Sequence, residues 1–166
     1  MHVLVAALVG TSLFPLTPGH RWTFRDVESG AKVVIVMRPG HVLHGFPGAG
    51  DLRARALGKT VEAWDEEDGR WETWFRFGAP VKTAYAVELE GTPLWQKVEV
   101  RVAATSAAVR DRGGKLHRGC TRFAFRQLGG VADAGLTEMS FCPGVGPVRY
   151  SETTIAGPRT YALAVV

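Results

Sequence analysis

The sequence predicts an all-β domain: a curved antiparallel sheet of about ten or eleven strands with little helix, forming a half-open or closed β-barrel. Two observations favour this class. Short apolar runs alternate with polar residues at the two-residue period of strands, and no stretch shows a convincing helical period. The 20 glycines and nine prolines fall between these runs, where they are typical of turns. One antiparallel sheet of that many strands normally curls or closes.

The length of 166 residues fits one domain with a core large enough to fold alone. We predict that domain over 13–166, after an apolar segment at 1–12. This segment begins MHVLVAALVG, which is too short to span a bilayer and has no Lys or Arg before its apolar part. It is interpreted either as the remnant of a secretory signal or as a first strand. We predict no transmembrane span.

In the first half of the domain, the strands are short and clearly bounded. Trp22 and Phe24 alternate with polar neighbours, which indicates a half-buried strand. The run 31–37, AKVVIVM, is the most β-branched of the chain and predicts a central strand. Further strands are predicted at 41–46, 52–57, 60–64 and 70–77.

The second half begins less legibly, because residues 78–93 fit a strand or a short helical turn. Beyond them, Val98, Val100 and Val102 alternate with charged residues, which predicts a strand within 94–109. Return strands are predicted at 116–128 and 159–165.

The stretch 136–150, LTEMSFCPGVGPVRY, predicts two strands joined by a rigid corner. Pro143 cannot donate a ladder hydrogen bond, and Gly144 and Gly146 permit the positive φ that a tight corner needs. These three residues are the predicted structural corner. A phosphate-binding loop is the alternative, but it requires a following helix, and no helical period follows.

Three tryptophans lie on the hairpin predicted at 60–77, around the acidic tip DEEDG. Strict alternation places Trp71 and Phe75 on one face and Trp74 on the other. Core and cross-strand packing is the ordinary interpretation of such a group. The functional interpretation is an aromatic lining for a sugar or a lipid chain, with Trp64, Trp71, Trp74 and Phe75 as the candidate ligand-binding residues.

The only two cysteines, Cys120 and Cys142, fall on strands that we expect to be neighbours. In an exported protein such a pair indicates a disulfide. The alternatives are two buried thiols or a zinc site that includes His117, for which a fourth ligand is not evident. We predict a Cys120–Cys142 disulfide, no metal and no cofactor.

The sequence contains no arrangement that indicates catalysis, and no catalytic residue is predicted. Serine-hydrolase, zinc-protease and nucleotide-binding motifs are absent from the chain. The acidic residues at 65–68 fall on a hairpin tip that we expect to be solvated. His41 and His44 are three apart, so they face opposite sides of a strand. We predict that the protein is not an enzyme.

The charge distribution does not indicate a nucleic-acid partner, because a formal charge of +4 is modest for that role. Basic residues recur from Arg110 to Arg126, and Arg122 and Arg126 share a face if their strand is regular. They are interpreted as a solvated outer face, or as a contact for anionic headgroups or cell-wall polymers.

Three stretches resemble one group of bacterial proteins. LFPLTPGHRWTFR, GGKLHRGCTRF and FCPGVGPVRY resemble the opening, a strand start and the C-terminal corner of TapB-like exported proteins and lipoproteins. Relatives of that group have the half-open β-barrel of the LolA/LolB type. The resemblance covers 13–166, with departures at Cys142 and Pro147, and this chain shows no lipid-anchor cysteine near its start.

The resemblance implies a curved sheet with a concave apolar face, in a protein exported to the periplasm or cell envelope. A cytoplasmic location stays open. We therefore predict a non-enzymatic envelope protein that holds a lipid or other apolar ligand on its concave sheet. The alternative is a structural or protein-interaction module that binds an envelope protein and has no small-molecule ligand.

Overall fold

The computed structural model describes residues 12–129 and 134–165. The regular structure of these residues is entirely β, in one antiparallel sheet. Its twelve strands are β1 (Arg21–Asp26), β2 (Lys32–Arg38), β3 (Val42–Phe46), β4 (Gly50–Leu57), β5 (Thr60–Asp65), β6 (Arg70–Arg76), β7 (Ala84–Val87), β8 (Val98–Arg110), β9 (Leu116–Gln127), β10 (Gly135–Cys142), β11 (Gly146–Thr154) and β12 (Gly157–Val165). The predicted fold class is confirmed. Residues 1–11 of the predicted N-terminal apolar segment lie outside the described part, so the structure does not test its two interpretations.

The sheet follows the order β6-β5-β4-β3-β2-β1-β12-β11-β10-β9-β8-β7. Neighbours in the sheet are consecutive in the chain, except that β1 pairs with β12, where Phe24 lies opposite Leu163. Curvature brings the two edge strands, β6 and β7, towards each other, so that the sheet forms a nearly closed barrel. Among the described residues, no helix has the length and apolarity needed to cross a bilayer.

The N-terminal segment 12–20 lies at one end of the barrel, which we call the near end. Because the strands alternate in direction, the turns β2–β3, β4–β5, β6–β7 and β10–β11 lie at the same end. Two backbone hydrogen bonds connect these parts. The Gly144 N–H donates to the Ser12 carbonyl at 3.0 Å, and the Phe77 N–H donates to the Lys59 carbonyl at 2.8 Å.

Aromatic side chains fill the interior of the barrel. The Phe75 ring lies 4.9 Å from that of Phe141 and 5.2 Å from that of Phe123, centre to centre. The other fully buried aromatic side chains are Phe14, Trp22, Phe24, Phe46, Trp74 and Trp95. The middle of the concave face is therefore a packed core, and a ligand would have to bind at an end of the barrel.

Strand β6 does not follow strict alternation. In its pairing with β5, Glu62 lies opposite Thr73 while the adjacent Val61 lies opposite Phe75, so Trp74 is an extra residue on β6. Such a β-bulge turns two successive side chains to the same side. Trp74 and Phe75 are both 0% exposed. The prediction that Trp74 and Phe75 lie on opposite faces is wrong for this reason.

Strands β8 and β9 form a long hairpin that bends sharply. Its pairing register shifts three times, and Ser106 adopts a positive φ of 57° at the bend. The tip of the hairpin reaches across to β12, where the Arg112 N–H donates to the Leu163 carbonyl at 2.8 Å. The hairpin thereby packs against strands that are distant from it in the sheet order.

Candidate binding site at the near end of the barrel

The structure separates the four candidate aromatic residues into two places. Trp74 and Phe75 lie in the core without exposure. Trp64 and Trp71 lie directly opposite each other on β5 and β6, half-buried on the outside, with ring centres 5.4 Å apart. The four side chains therefore do not form one common lining.

The outer tryptophan pair is covered by cations. The guanidinium carbon of Arg53 lies 4.6 Å from the ring centre of Trp64, and that of Arg55 lies 4.1 Å from that of Trp71. Arg55 also pairs with Glu62 at 2.7 Å. Since each indole carries an arginine on its face, this group has the form of cross-strand packing on the outside of the sheet.

A cavity of about 460 Å³ lies at the near end of the barrel. Its apolar wall is formed by Leu13, Phe14, Ala56, Val61 and Phe77. Three separate parts of the chain meet there: the N-terminal segment, the β4–β5 hairpin and the residue that follows β6. Ala56 and Val61 are paired across the hairpin, and the small alanine side chain leaves the space open.

Lys59 provides the cationic group of the cavity. It lies in the β4–β5 turn, and its stem packs close to Gly78, where an added Cβ would lie 3.0 Å from the Lys59 Cδ. In the described part of the chain, Lys59 forms no ion pair. An apolar cavity with an available ammonium group is suited to an amphiphile that has an anionic head.

Beside the cavity, the described parts of β6 and β7 face each other without a backbone ladder. The Tyr85 side chain crosses this seam. Its hydroxyl accepts a hydrogen bond from the Arg76 N–H at 3.0 Å and donates one to the Trp74 carbonyl at 3.1 Å. The Arg76 guanidinium carbon lies 4.5 Å from the ring centre of Tyr85. Burial raises the pKa of Tyr85 to about 12, which keeps its hydroxyl protonated at neutral pH.

A carboxylate closes the same seam at its other end. The Asp65 Oδ2 accepts a hydrogen bond from the Glu90 N–H at 3.2 Å. The prediction of a solvated acidic tip holds for Glu66, Glu67 and Asp68, which are exposed, but it is wrong for Asp65, which is only 2% exposed. Asp65 is buried because its carboxylate turns inward to accept hydrogen bonds from backbone N–H groups.

Cys120 and Cys142 form a disulfide between β9 and β10, so the predicted bond is confirmed. Both residues are buried. The bond leaves no thiolate for the zinc alternative, and the His117 Nε2 instead lies 2.9 Å from the Asp111 Oδ2. No group of three His, Cys, Asp or Glu residues that could hold a metal occurs in the described ranges.

The structural corner joins β10 to β11 and supports a core tryptophan. Gly144 and Gly146 have φ values of 72° and 94°. The Trp22 Nε1–H donates a hydrogen bond to the Val145 carbonyl at 2.6 Å. An added Cβ at Gly146 would lie 2.8 Å from the Trp22 Nε1, so both the backbone conformation and the indole require glycine at this position.

The remaining polar candidates have ordinary partners. His44 hydrogen-bonds Asp51 on the neighbouring strand, and His41 lies in the β2–β3 turn. Arg122 and Arg126 share the outer face, as predicted, and they pair with Glu138 at 3.5 Å and with Glu99 at 2.9 Å. These pairs have the form of a solvated face.

A buried polar cluster on β11 and β12 was not anticipated from the sequence. The rings of Tyr150 and Tyr161 are stacked, with centres 4.7 Å apart. Burial raises the pKa of both hydroxyls and also that of the nearby Glu152 carboxyl. The matching parity of Tyr150 and Glu152 in the sequence could have indicated the cluster. Both tyrosines are buried, so we interpret the cluster as part of the packing.

The chain resembles known proteins in its fold alone. No protein-family profile matches the chain, and none of the curated proteins is similar to it in sequence. Two solved structures resemble its fold. A candidate exported protein of Bacteroides fragilis with a YmcC-like fold has a TM-score of 0.46 and 10% identity, over 92% of this chain and 97% of that protein. A candidate lipoprotein of Parabacteroides distasonis has a TM-score of 0.43 and 12% identity, over 93% and 97%. Similarity at this level carries no argument about function.

Proposed function

We propose that this chain is a non-enzymatic protein of the bacterial cell envelope that binds a lipid-like amphiphile at the near end of the barrel. The apolar chain of the ligand lies in the cavity, and its anionic head lies beside Lys59. The observation that carries the proposal is the cavity itself, with a volume of about 460 Å³ and a mostly apolar wall. Small-molecule sites typically have this size and this composition.

The disulfide supports the location in the envelope. Cysteine pairs form and persist in oxidising compartments and are rare in the cytosol of ordinary bacteria. Cys120 and Cys142 are joined in this chain, and the three sequence stretches that resemble TapB-like exported proteins favour the same location. The relation to the LolA/LolB type stays a prediction.

The packed interior decides where a ligand can bind. Phe75, Phe141 and Phe123 occupy the middle of the barrel, so an apolar chain cannot lie along the whole concave sheet. The apolar space of the near-end cavity is bounded by Phe14 and Phe77. This restricts the proposed ligand to a chain that enters the barrel only part of the way.

Filling the cavity tests the proposal. Ala56→Phe places a ring in the open space, and we expect it to weaken the binding of dodecanoate by at least about tenfold. Native mass spectrometry of delipidated protein with added dodecanoate measures the bound fraction. Ala103→Phe, the same substitution at an exposed position of β8, is the matched control and should leave binding unchanged. Equal binding by all three proteins, or none by the unsubstituted protein, would contradict the proposal.

The role of Lys59 can be separated from that of the cavity. Lys59→Glu should weaken the binding of dodecanoate, because the reversed charge repels a carboxylate, and it should leave the uncharged dodecanol unaffected. A loss of both ligands would show that the substitution disturbs the cavity rather than the head-group contact.

The alternative function is that of an interaction module without a small-molecule ligand. The aromatic packing of the barrel favours this alternative, because it leaves only the ends of the barrel open. An unliganded mass for protein purified from its own cells, together with salt-sensitive capture of an envelope protein, would support it over the first proposal.

A further inference from the structure

We infer that the seam between β6 and β7 is a side gate of the near-end cavity and that the Tyr85 side chain is its latch. The gating of a ligand rests on the proposed function. The opening of the seam itself can be observed without a ligand.

The seam is the one place in the described sheet where neighbouring strands lack a ladder, since the strand order ends at β6 on one side and at β7 on the other. A ladder holds two strands together by many backbone hydrogen bonds. Between β6 and β7, the Tyr85 hydroxyl instead forms hydrogen bonds with two backbone groups of β6. It accepts one from the Arg76 N–H and donates one to the Trp74 carbonyl. Rotation of this single side chain releases both groups.

The latch is adjacent to the cavity. Arg76, whose N–H is bound by Tyr85, directly precedes Phe77, which forms part of the cavity wall. The Phe77 ring is stacked on Phe75 with centres 6.1 Å apart, so the cavity borders the aromatic core at this point. The cavity is already open to solvent beside the exposed Ala56 and Lys59, and opening of the seam at Tyr85 gives it a second entrance from the side of the barrel.

The loop that follows β6 has features that favour a conformational change. Lys82 has a positive φ of 75°, which is a strained conformation for a residue with a side chain. On the β7 side, the Lys82 N–H donates to the Val102 carbonyl at 2.8 Å, and the Val102 N–H donates to the Thr83 carbonyl at 2.9 Å. The loop before Lys82 carries an apolar side chain, Val81, which is 44% exposed. Opening would therefore move residues 78–81, while Phe77 stays bound to the Lys59 carbonyl and Lys82 and Thr83 stay attached to β8.

Tyr85→Phe tests the latch, because it keeps the ring and its contact with Arg76 but removes the hydroxyl. In the unliganded protein, hydrogen exchange of the Arg76 amide should accelerate by about fivefold, the factor expected for one lost neutral hydrogen bond. The Val61 amide on β5 should exchange as before, which would show that the sheet has not unfolded. Tyr150→Phe, on β11, is the matched control and should not affect Arg76.

Stopped-flow kinetics with dodecanoate test the gate. In Tyr85→Phe, the association and dissociation rate constants should rise by a similar factor, while Kd changes by less than about twofold. Unchanged exchange at Arg76 would overturn the latch. Faster exchange with unchanged ligand kinetics would overturn the gate and leave the binding site intact. If the Arg76 amide exchanges faster in Tyr85→Phe but the unsubstituted protein binds no dodecanoate, Tyr85 remains the latch of the seam. Its role in ligand access would then be overturned.

Discussion

At the scale of single residues, the Asp65 carboxylate stabilises two structures at once. Its Oδ1 accepts hydrogen bonds from the Glu67 N–H at 2.9 Å and the Asp68 N–H at 3.1 Å, which shape the β5–β6 turn. Its Oδ2 closes the seam through the Glu90 N–H. Burial disfavours the charged carboxylate, but the three N–H donors outweigh this effect and hold the pKa below its ordinary value of 3.8.

This environment makes the contribution of Asp65 to stability dependent on pH. A carboxyl whose pKa is depressed in the folded state stabilises that state above its unfolded pKa, and this stabilisation is lost as the pH falls through the folded pKa. We expect Asp65→Asn to lower the free energy of unfolding at neutral pH, and we expect the difference from the unsubstituted protein to shrink below the ordinary value of 3.8. Urea denaturation at several pH values measures both free energies.

The control for this experiment is Glu66→Gln, which removes a carboxylate from the exposed part of the same turn. It should change stability little at any pH, because exposed ion pairs such as Arg53–Glu66 contribute little. A gap between Asp65→Asn and the unsubstituted protein that stays constant with pH would contradict the assigned role of the carboxylate.

At the scale of strands, the disulfide fixes the bent β8–β9 hairpin to its neighbour. Cys120 lies opposite Ala107, within the stretch of β8 where the register shifts, and Cys142 is the last residue of β10. The bond therefore holds the hairpin at its bend, while the tip is held by the hydrogen bond from Arg112 to Leu163. Because these two attachments are far apart, they hold the hairpin in its position across the barrel.

Removal of the disulfide should destabilise the protein considerably. For cysteines 22 residues apart, the loss of the constraint on the unfolded chain corresponds to about 3 kcal/mol. We expect the double substitution of Cys120 and Cys142 by alanine to lower the free energy of unfolding in urea by about this amount. The unsubstituted protein in reductant is the matched comparison and should lose a similar amount. A loss below about 1 kcal/mol in both would show that the bond is not a main stabilising element.

The positions of the strands could be predicted because they depend on local patterns. The β-branched run at 31–37 corresponds to β2 (Lys32–Arg38), and glycine-containing turns bound most of the hairpins. The bulge at Trp74 could not be predicted in this way. It depends on how the edge strand β6 closes over the core, where both Trp74 and Phe75 find aromatic neighbours.

At the scale of the whole molecule, Phe14 connects the N-terminal segment to the barrel. It precedes the first strand, yet it is only 1% exposed. Its ring lies 5.0 Å from that of Phe141 and 5.6 Å from that of Trp22, centre to centre. Because Phe14 also lines the cavity, the N-terminal segment contributes to the candidate site as well.

Phe14→Ala should therefore destabilise the entire barrel. Truncation of a buried phenylalanine costs about 3–5 kcal/mol, from the lost burial and from the space left behind. Urea denaturation measures the loss, with Leu13→Ala as a control, since Leu13 is only half-buried and should matter less. A loss with Phe14→Ala as small as that with Leu13→Ala, and below about 1 kcal/mol, would contradict the role of Phe14 in the core.

The candidate site could not be predicted from sequence patterns, because it depends on which strand ends meet across the barrel. Its wall combines Phe14, Ala56 and Phe77, which come from three distant parts of the chain. Alternation and turn residues specify where each strand begins and which side faces inward. They do not specify which ends meet across the barrel, and Lys59 in the sequence is an ordinary residue of a glycine turn.

The pairing of β1 with β12 also bears on the order in which the chain folds. Ten of the eleven neighbouring strand pairs are hairpins between consecutive strands, which can form as soon as both strands have been synthesised. β1 has to wait for β12, the last strand along the chain, and joining Phe24 to Leu163 closes a very long loop. Until then, the two meanders β1–β6 and β7–β12 present four open edges to other chains. We therefore expect the joining of the two halves to be the slow step of folding, and we expect the open edges to be most exposed to aggregation before that step.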